Sequence, residues 1–107
     1  MSFERKYKWQ NVIRSYDAGT ADAISRHVAH VLERETTIPR KYKELILMAC
    51  ATAIRSGGSI RSHGLGALRH GATQAELLEV MTLAAMPAGY SALIEAIEAI
   101  GDHLTAE

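Results

Sequence analysis

A chain of 107 residues has room for one hydrophobic core, so a single domain spanning residues 1–107 is expected. Twelve basic residues balance twelve acidic ones, which leaves no strongly basic face of the kind that binds nucleic acid. Hydrophobic residues make up 48% of the chain, yet no stretch has the unbroken apolar length of a membrane span, so a soluble globular protein is expected.

The opening MSFERKYKWQ lacks the apolar centre of a secretory signal, and the single cysteine, Cys50, has no intramolecular partner for a disulfide. A cytoplasmic setting is expected. Over residues 20–35, Ala23, Ile24, Val28, Val31 and Leu32 recur at helical spacing, with Thr20 as N-cap and Asp22 in the first turn. A second helix runs from Pro39, whose missing N–H is not needed in a first turn, to about Arg55, and Ser56-Gly57-Gly58 ends it.

The third helix starts near Ser59 and stops at His70-Gly71, where glycine supplies a left-handed cap. In the following TQAE, Thr73 and Glu76 form a capping box that opens a fourth helix reaching about Met86. Pro87-Ala88-Gly89 breaks the chain. Leu93, Ile94, Ile97, Ile100 and Leu104 mark one face of a last helix. No strand pattern competes, so the fold class is all-α, a compact bundle of about five helices with short connections.

LILMACA in the second helix and LLEVMTLAAM in the fourth are apolar on most sides, as in helices buried all round. A domain this small cannot bury both by itself, and homo-oligomerisation is expected to cover them. Met48, Met81 and Met86 are read as core fillers in these helices. His27, His30 and Glu33 share a helical face without a recognised metal-ligand spacing, so no metal is assigned.

The chemistry concentrates in SGGSIRSHGLGALRHG, residues 56–71. Ser59 and His63 lie one helical turn apart, close enough for hydroxyl and imidazole to bond. Glu44, standing just before the apolar run of the second helix, is a candidate third member. In a straight antiparallel hairpin Glu44 lies ~16 Å from Arg55 and His63 ~6 Å from Ser59 along the axes, an offset of roughly 10 Å. Direct contact therefore requires crossing helices; a water relay or a contact across a subunit boundary fits equally well.

From about Pro39 to Ile100 the sequence resembles the carboxymuconolactone decarboxylase and alkylhydroperoxidase D-like family. The resemblance rests on the Glu44-bearing helix, the S-x-x-S-I-R-S-H run, ALRHGATQAELLEV and LAAMPAGYSALIEAI. It implies an alkylhydroperoxidase D-like, oligomeric helical fold. In the peroxidase branch a C-x-x-C precedes the histidine and a glutamate upstream completes a proton relay. Here Glu44 and His63 match, but Ser56 and Ser59 stand where the cysteines would be. A serine hydroxyl does not ionise near neutral pH and forms no disulfide, so peroxidase chemistry is not expected. Cys50 has no resolving partner, and its neighbours suggest an apolar setting.

Resemblance to the decarboxylase branch implies action on a small carboxylated lactone from aromatic breakdown, with no cofactor. In that reading His63, Glu44 and Ser59 are the catalytic candidates. Ser56, Arg61 and Tyr90 are the candidate substrate contacts, with Arg61 or Arg55 suited to a carboxylate. Two alternatives remain open: a lactone or ester hydrolase using Ser59, His63 and Glu44, and a non-catalytic oligomeric ligand-binding protein.

Overall fold

The computed structural model describes residues 8–105, which carry six α-helices and no strand. They divide into two compact units that part between Thr36 and Thr37.

The first unit holds α1 (Lys8–Tyr16) and α2 (Ala18–Val28), the latter continuing as a single π-helical turn, Ala29–Glu33. The apolar spacing of residues 8–16 is too weak to predict a helix, and α1 is an addition to the five expected. The cap of α2 also differs from the expected Thr20. Asp17 is the N-cap: its Oδ1 accepts from Gly19 N–H at 3.0 Å, while the Thr20 hydroxyl donates to Oδ2 at 2.7 Å. A carboxylate offers more acceptor capacity to free helix N–H groups than a hydroxyl does, and Thr20 serves it as a donor. Arg14 bridges α1 to α2 through Asp22 at 2.9 Å.

The second unit contains α3 (Arg40–Ala53), α4 (Gly57–Arg69), α5 (Gln74–Ala88), α6 (Tyr90–Ile100) and a closing 3₁₀ turn, Gly101–His103. Here α3 packs most extensively on α4 and also on α5, and α6 lies against α4 and α5. Met48, Ile60, Leu77, Met81 and Ile100 are fully buried between them and form the centre of the core. Met48 and Met81 thus fill the core as expected. Met86 does not: it is exposed near the C-terminal end of α5.

Pro39 stands just outside α3, its carbonyl accepting from Tyr42 and Lys43. The helix ends at Ala53, two residues before the expected Arg55, because Arg55 takes a left-handed φ of +59° and reverses the chain. A non-glycine residue there costs about 1–2 kcal/mol. The Arg55 side chain is anchored in return: it donates to Ser91 Oγ at 2.6 Å and to Glu95 at 3.1 Å. The expected break at Ser56-Gly57-Gly58 is instead the opening of α4, and Ser56, the N-cap residue, makes no side-chain cap bond.

The capping box of α5 is present as read. Glu76 N–H donates to Thr73 Oγ1 at 3.1 Å, Thr73 N–H donates to Glu76 at 2.9 Å, and Lys41 of α3 adds an ion pair to Glu76 at 3.2 Å. Pro87 is accommodated in the last turn of α5, and Gly89, at φ +96°, joins α5 to α6 in a conformation other residues resist.

The buried face of α6 follows the expected stripe only in part: Ile100 is in the core and Leu93 and Leu104 pack against it, but the other two positions do not. Ala92, Ala96 and Ile100 are buried, whereas Ile94 and Ile97 are exposed. Alanines let the helix axes approach closely, so small residues rather than the largest ones took the contact. Neither α3 nor α5 is buried all round: Ile46 and Leu47 on α3 and Leu83 on α5 remain exposed. An open groove of about 610 Å³ runs between these two helices, lined by Leu45, Ile46, Ala49, Val80, Leu83 and Tyr42 among others. No helix among the described residues is long and apolar enough to cross a membrane.

Candidate functional site

Glu44 lies one turn into α3 and is 2% exposed, the only charged residue buried in the described chain. Such a carboxylate needs partners, since an isolated buried charge is expensive. It has two. Oε1 lies 2.8 Å from Nδ1 of His63 on α4, and Oε2 accepts from Nε and Nη2 of Arg40, both at 2.9 Å. The contact with His63 is direct, with no relay.

The helix boundaries explain why the expected offset of roughly 10 Å is absent. Glu44 is nine residues from the end of α3 at Ala53, or ~13.5 Å, and His63 is six residues from the start of α4 at Gly57, or ~9 Å. Most of the mismatch disappears once α3 stops earlier and α4 starts earlier. A modest helix inclination and the reach of two side chains close the remaining ~4.5 Å.

Gly66, one turn beyond His63 on α4, leaves the space that the carboxylate occupies. A Cβ at this position would lie 2.6 Å from the Glu44 Cδ and Oε2 atoms and 2.9 Å from Oε1. Burial is the largest single influence on Glu44 and pushes its carboxyl up. The hydrogen bonds from His63 and Arg40, together with their charges, outweigh it and hold the carboxyl below its usual value.

An ionised carboxylate can only accept, so the proton in the Glu44–His63 bond belongs to Nδ1. The imidazole therefore presents Nε2 as its free working nitrogen, and Nε2 has no hydrogen-bond partner among the described residues. With its side chain 25% exposed, His63 spans the buried carboxylate and the surface. A carboxylate that orients the ring and fixes its tautomer suits it to proton transfer at that outer nitrogen.

Ser59 lies one turn before His63 and is half-buried, but no hydrogen bond joins it to the ring, whose Nδ1 is committed to Glu44. Ser56 is half-buried at the entrance of α4. Arg61, two residues from His63, is directed elsewhere: it forms a two-pronged pair with Asp102 at 2.6 and 2.7 Å and donates to the Ala99 carbonyl. It reaches a substrate only by giving up that pair. Tyr90 opens α6 and is 74% exposed, with no polar contact to the His63 side chain.

Cys50 is exposed on α3, not in the apolar setting expected from its neighbours. Apolar neighbours in sequence do not bury a helical residue when the inward face is carried by positions 44, 45, 48, 51 and 52. No three His, Cys, Asp or Glu side chains converge as a metal site among the described residues, and His30 is instead contacted by Arg34.

Arg40 and Gly66 escaped the sequence reading. Both had a signal: Arg40 precedes Glu44 by four residues on one helical face, and Gly66 follows His63 by three on another. Neither spacing alone says that the two faces meet.

The second unit is thus a helical scaffold that clamps a buried carboxylate between an arginine and a histidine, the architecture of an all-α protein built around a carboxylate–histidine pair. The family model for the carboxymuconolactone decarboxylase family matches residues 18–102, and the chain belongs to that family. No curated protein matches it closely enough to count as a relative.

Proposed function

We propose that this protein acts on a small carboxylated lactone, or a related intermediate of aromatic breakdown, as a decarboxylase without thiol peroxidase activity. The direct 2.8 Å contact of His63 with Glu44, which leaves Nε2 without a partner among the described residues, carries this reading. Family membership supports it.

In the proposed reaction the bond between the ring carbon and the carboxylate carbon breaks, and carbon dioxide leaves. The electron pair passes into the lactone as an enolate, and protonated His63 delivers the Nε2 proton to the carbon. Loss of that proton leaves the neutral ring with its hydrogen on Nδ1, the tautomer that Glu44 holds. Ser59 and the free N–H groups at the start of α4 are suited to meet the enolate oxygen. Ser56 lines the same helix entrance. Arg55 and Arg61 are both engaged in ion pairs, so a substrate carboxylate competes with Glu95 or Asp102 for them.

The absence of peroxidase activity is supported by the sequence, which has one cysteine and therefore no resolving thiol. Homo-oligomerisation, as a trimer or hexamer in the cytoplasm, belongs to the same reading. Exposed Ile46, Leu47, Leu83, Met86 and Ile94 support it, being large apolar side chains that a second subunit would remove from water.

The test is carbon dioxide release and lactone consumption on a panel of carboxylated butenolides, comparing the protein with its His63→Ala variant. Release that requires His63 is the expected result. Lactone loss without carbon dioxide would mean hydrolysis, which Ser59→Ala would then abolish. The absence of any turnover across the panel would favour a ligand-binding role. Size exclusion should show a mass well above that of the monomer, and elution as a monomer at micromolar concentration refutes the assembly.

A further inference from the structure

Arg40 has no place in the chemistry above, yet it makes two of the three polar contacts that hold Glu44. It opens α3 immediately after Pro39, one turn before Glu44, and its guanidinium applies two nitrogens to the carboxylate oxygen that His63 does not use. Both carboxylate oxygens are thereby claimed by donors, and Gly66 closes on the group from α4.

This arrangement bears on the imidazole. If buried Glu44 took up a proton, its O–H would donate to Nδ1 and the neutral ring would carry its hydrogen on Nε2. Which His63 nitrogen is open therefore depends on whether Glu44 is ionised. The charged groups that bond Glu44 are Arg40 and His63. Lys41, on the same helix, is paired with Glu76 of α5, and Arg61, on α4, with Asp102. Arg40 is accordingly the permanent positive charge on the carboxylate, present whether or not the imidazole is protonated.

We propose that Arg40 is a positioning residue: through ionised Glu44 it fixes neutral His63 with its hydrogen on Nδ1 and leaves Nε2 open for proton transfer. The inference rests on Glu44 and His63 being a working pair, but its test needs no turnover. A failed decarboxylase assay and a failed Arg40 role therefore give different results.

The experiment is nuclear magnetic resonance on the full-length protein, reading the ¹⁵N shifts of the His63 ring and the ¹³C shift of the Glu44 carboxyl against pH. Wild-type, Arg40→Gln and Arg40→Lys proteins are compared after circular dichroism has verified their folding. The wild-type ring should be protonated on Nδ1 when neutral. Arg40→Gln should move the Glu44 midpoint to higher pH and shift the ring toward the Nε2–H form, while Arg40→Lys, which keeps the charge, should retain the wild-type pattern. A wild-type ring protonated on Nε2 overturns the proposal without any variant. So does an Arg40→Gln protein with wild-type signals, or a folded Arg40→Lys protein whose ring turns to the Nε2–H form.

Discussion

Substituting alanine for Gly66 separates helix propensity from the geometry of the site. Inside a helix, alanine is favoured over glycine by about 0.8–1 kcal/mol, so propensity alone predicts a stabilised protein. The new Cβ, however, would lie 2.6 Å from the Glu44 Cδ and Oε2 atoms. Ordinary carbon contacts begin near ~3.5 Å, so the carboxylate must retreat by roughly 1 Å. It ends a flexible side chain and can swing away at little steric cost, but not while keeping its contacts of 2.8 Å to His63 and 2.9 Å to Arg40.

A hydrogen bond to a charged group is worth about 1.5–3 kcal/mol, and the partial exposure of His63 and Arg40 places these contacts at the lower end. Loss of one contact, less the propensity gain, leaves a net destabilisation of about 0.6 kcal/mol, or a Tm lower by about 2–5 °C. Gly58→Ala is the control, because a Cβ there meets nothing within 4 Å. It should leave Tm unchanged or raise it. Thermal melts of both variants, with the His63 ring shifts of Gly66→Ala, decide the matter. If Gly66→Ala is as stable as Gly58→Ala and keeps the wild-type ring signals, the clamp on Glu44 is not as tight as described.

Gly64→Ala should also destabilise, by about 1–3 kcal/mol in chemical denaturation, because its Cβ would meet the buried Ile100 Cδ1 at 2.5 Å; an unchanged midpoint would mean that the core has slack. Thr73→Ala should cost about 1 kcal/mol in chemical denaturation through loss of the capping acceptor, whereas Glu76→Gln, which retains that acceptor, should cost less; equal losses would mean that the hydroxyl does not dominate the box. Acid titration has a defined sign. The carboxyls of Glu44 and Asp102 are lowered in the folded state, the latter to about 2 by its bond from Arg61, so their stabilisation is present above the ordinary values of 4.5 and 3.8. It fades as pH falls below those values. Denaturation midpoints should thus decline from about pH 4.5 downward, and Glu44→Gln with Asp102→Asn should flatten that decline; an unaltered slope in the double variant would refute it.

The exposed face of α3 shows where pattern reading overreached. LILMACA looks buried all round, but Ile46 and Leu47 face away from the core that Leu45 and Met48 enter. Periodicity identifies which residues can share a face, whereas burial depends on what another element brings to that face. The same distinction explains α6, where Ala92 and Ala96 displaced Ile94 and Ile97 from the interior because close axial approach favours small residues.

Much was legible locally. The positions of α3 to α6 follow from apolar spacing and from Pro39, the Thr73–Glu76 box and Gly89, features whose physics acts within a few residues. Glu44 and His63 were likewise identifiable from residue type and family resemblance. Their meeting was not, because it depends on where two helices end: a left-handed Arg55 and an α4 that begins at Gly57 bring residues 19 apart to 2.8 Å. Arg40 and Gly66 gained their roles by the same step. Sequence determines which groups each helix carries, and the packing of α3 on α4 decides which of them touch, since a shift of one helical turn, about 5.4 Å, separates a hydrogen bond from no contact at all.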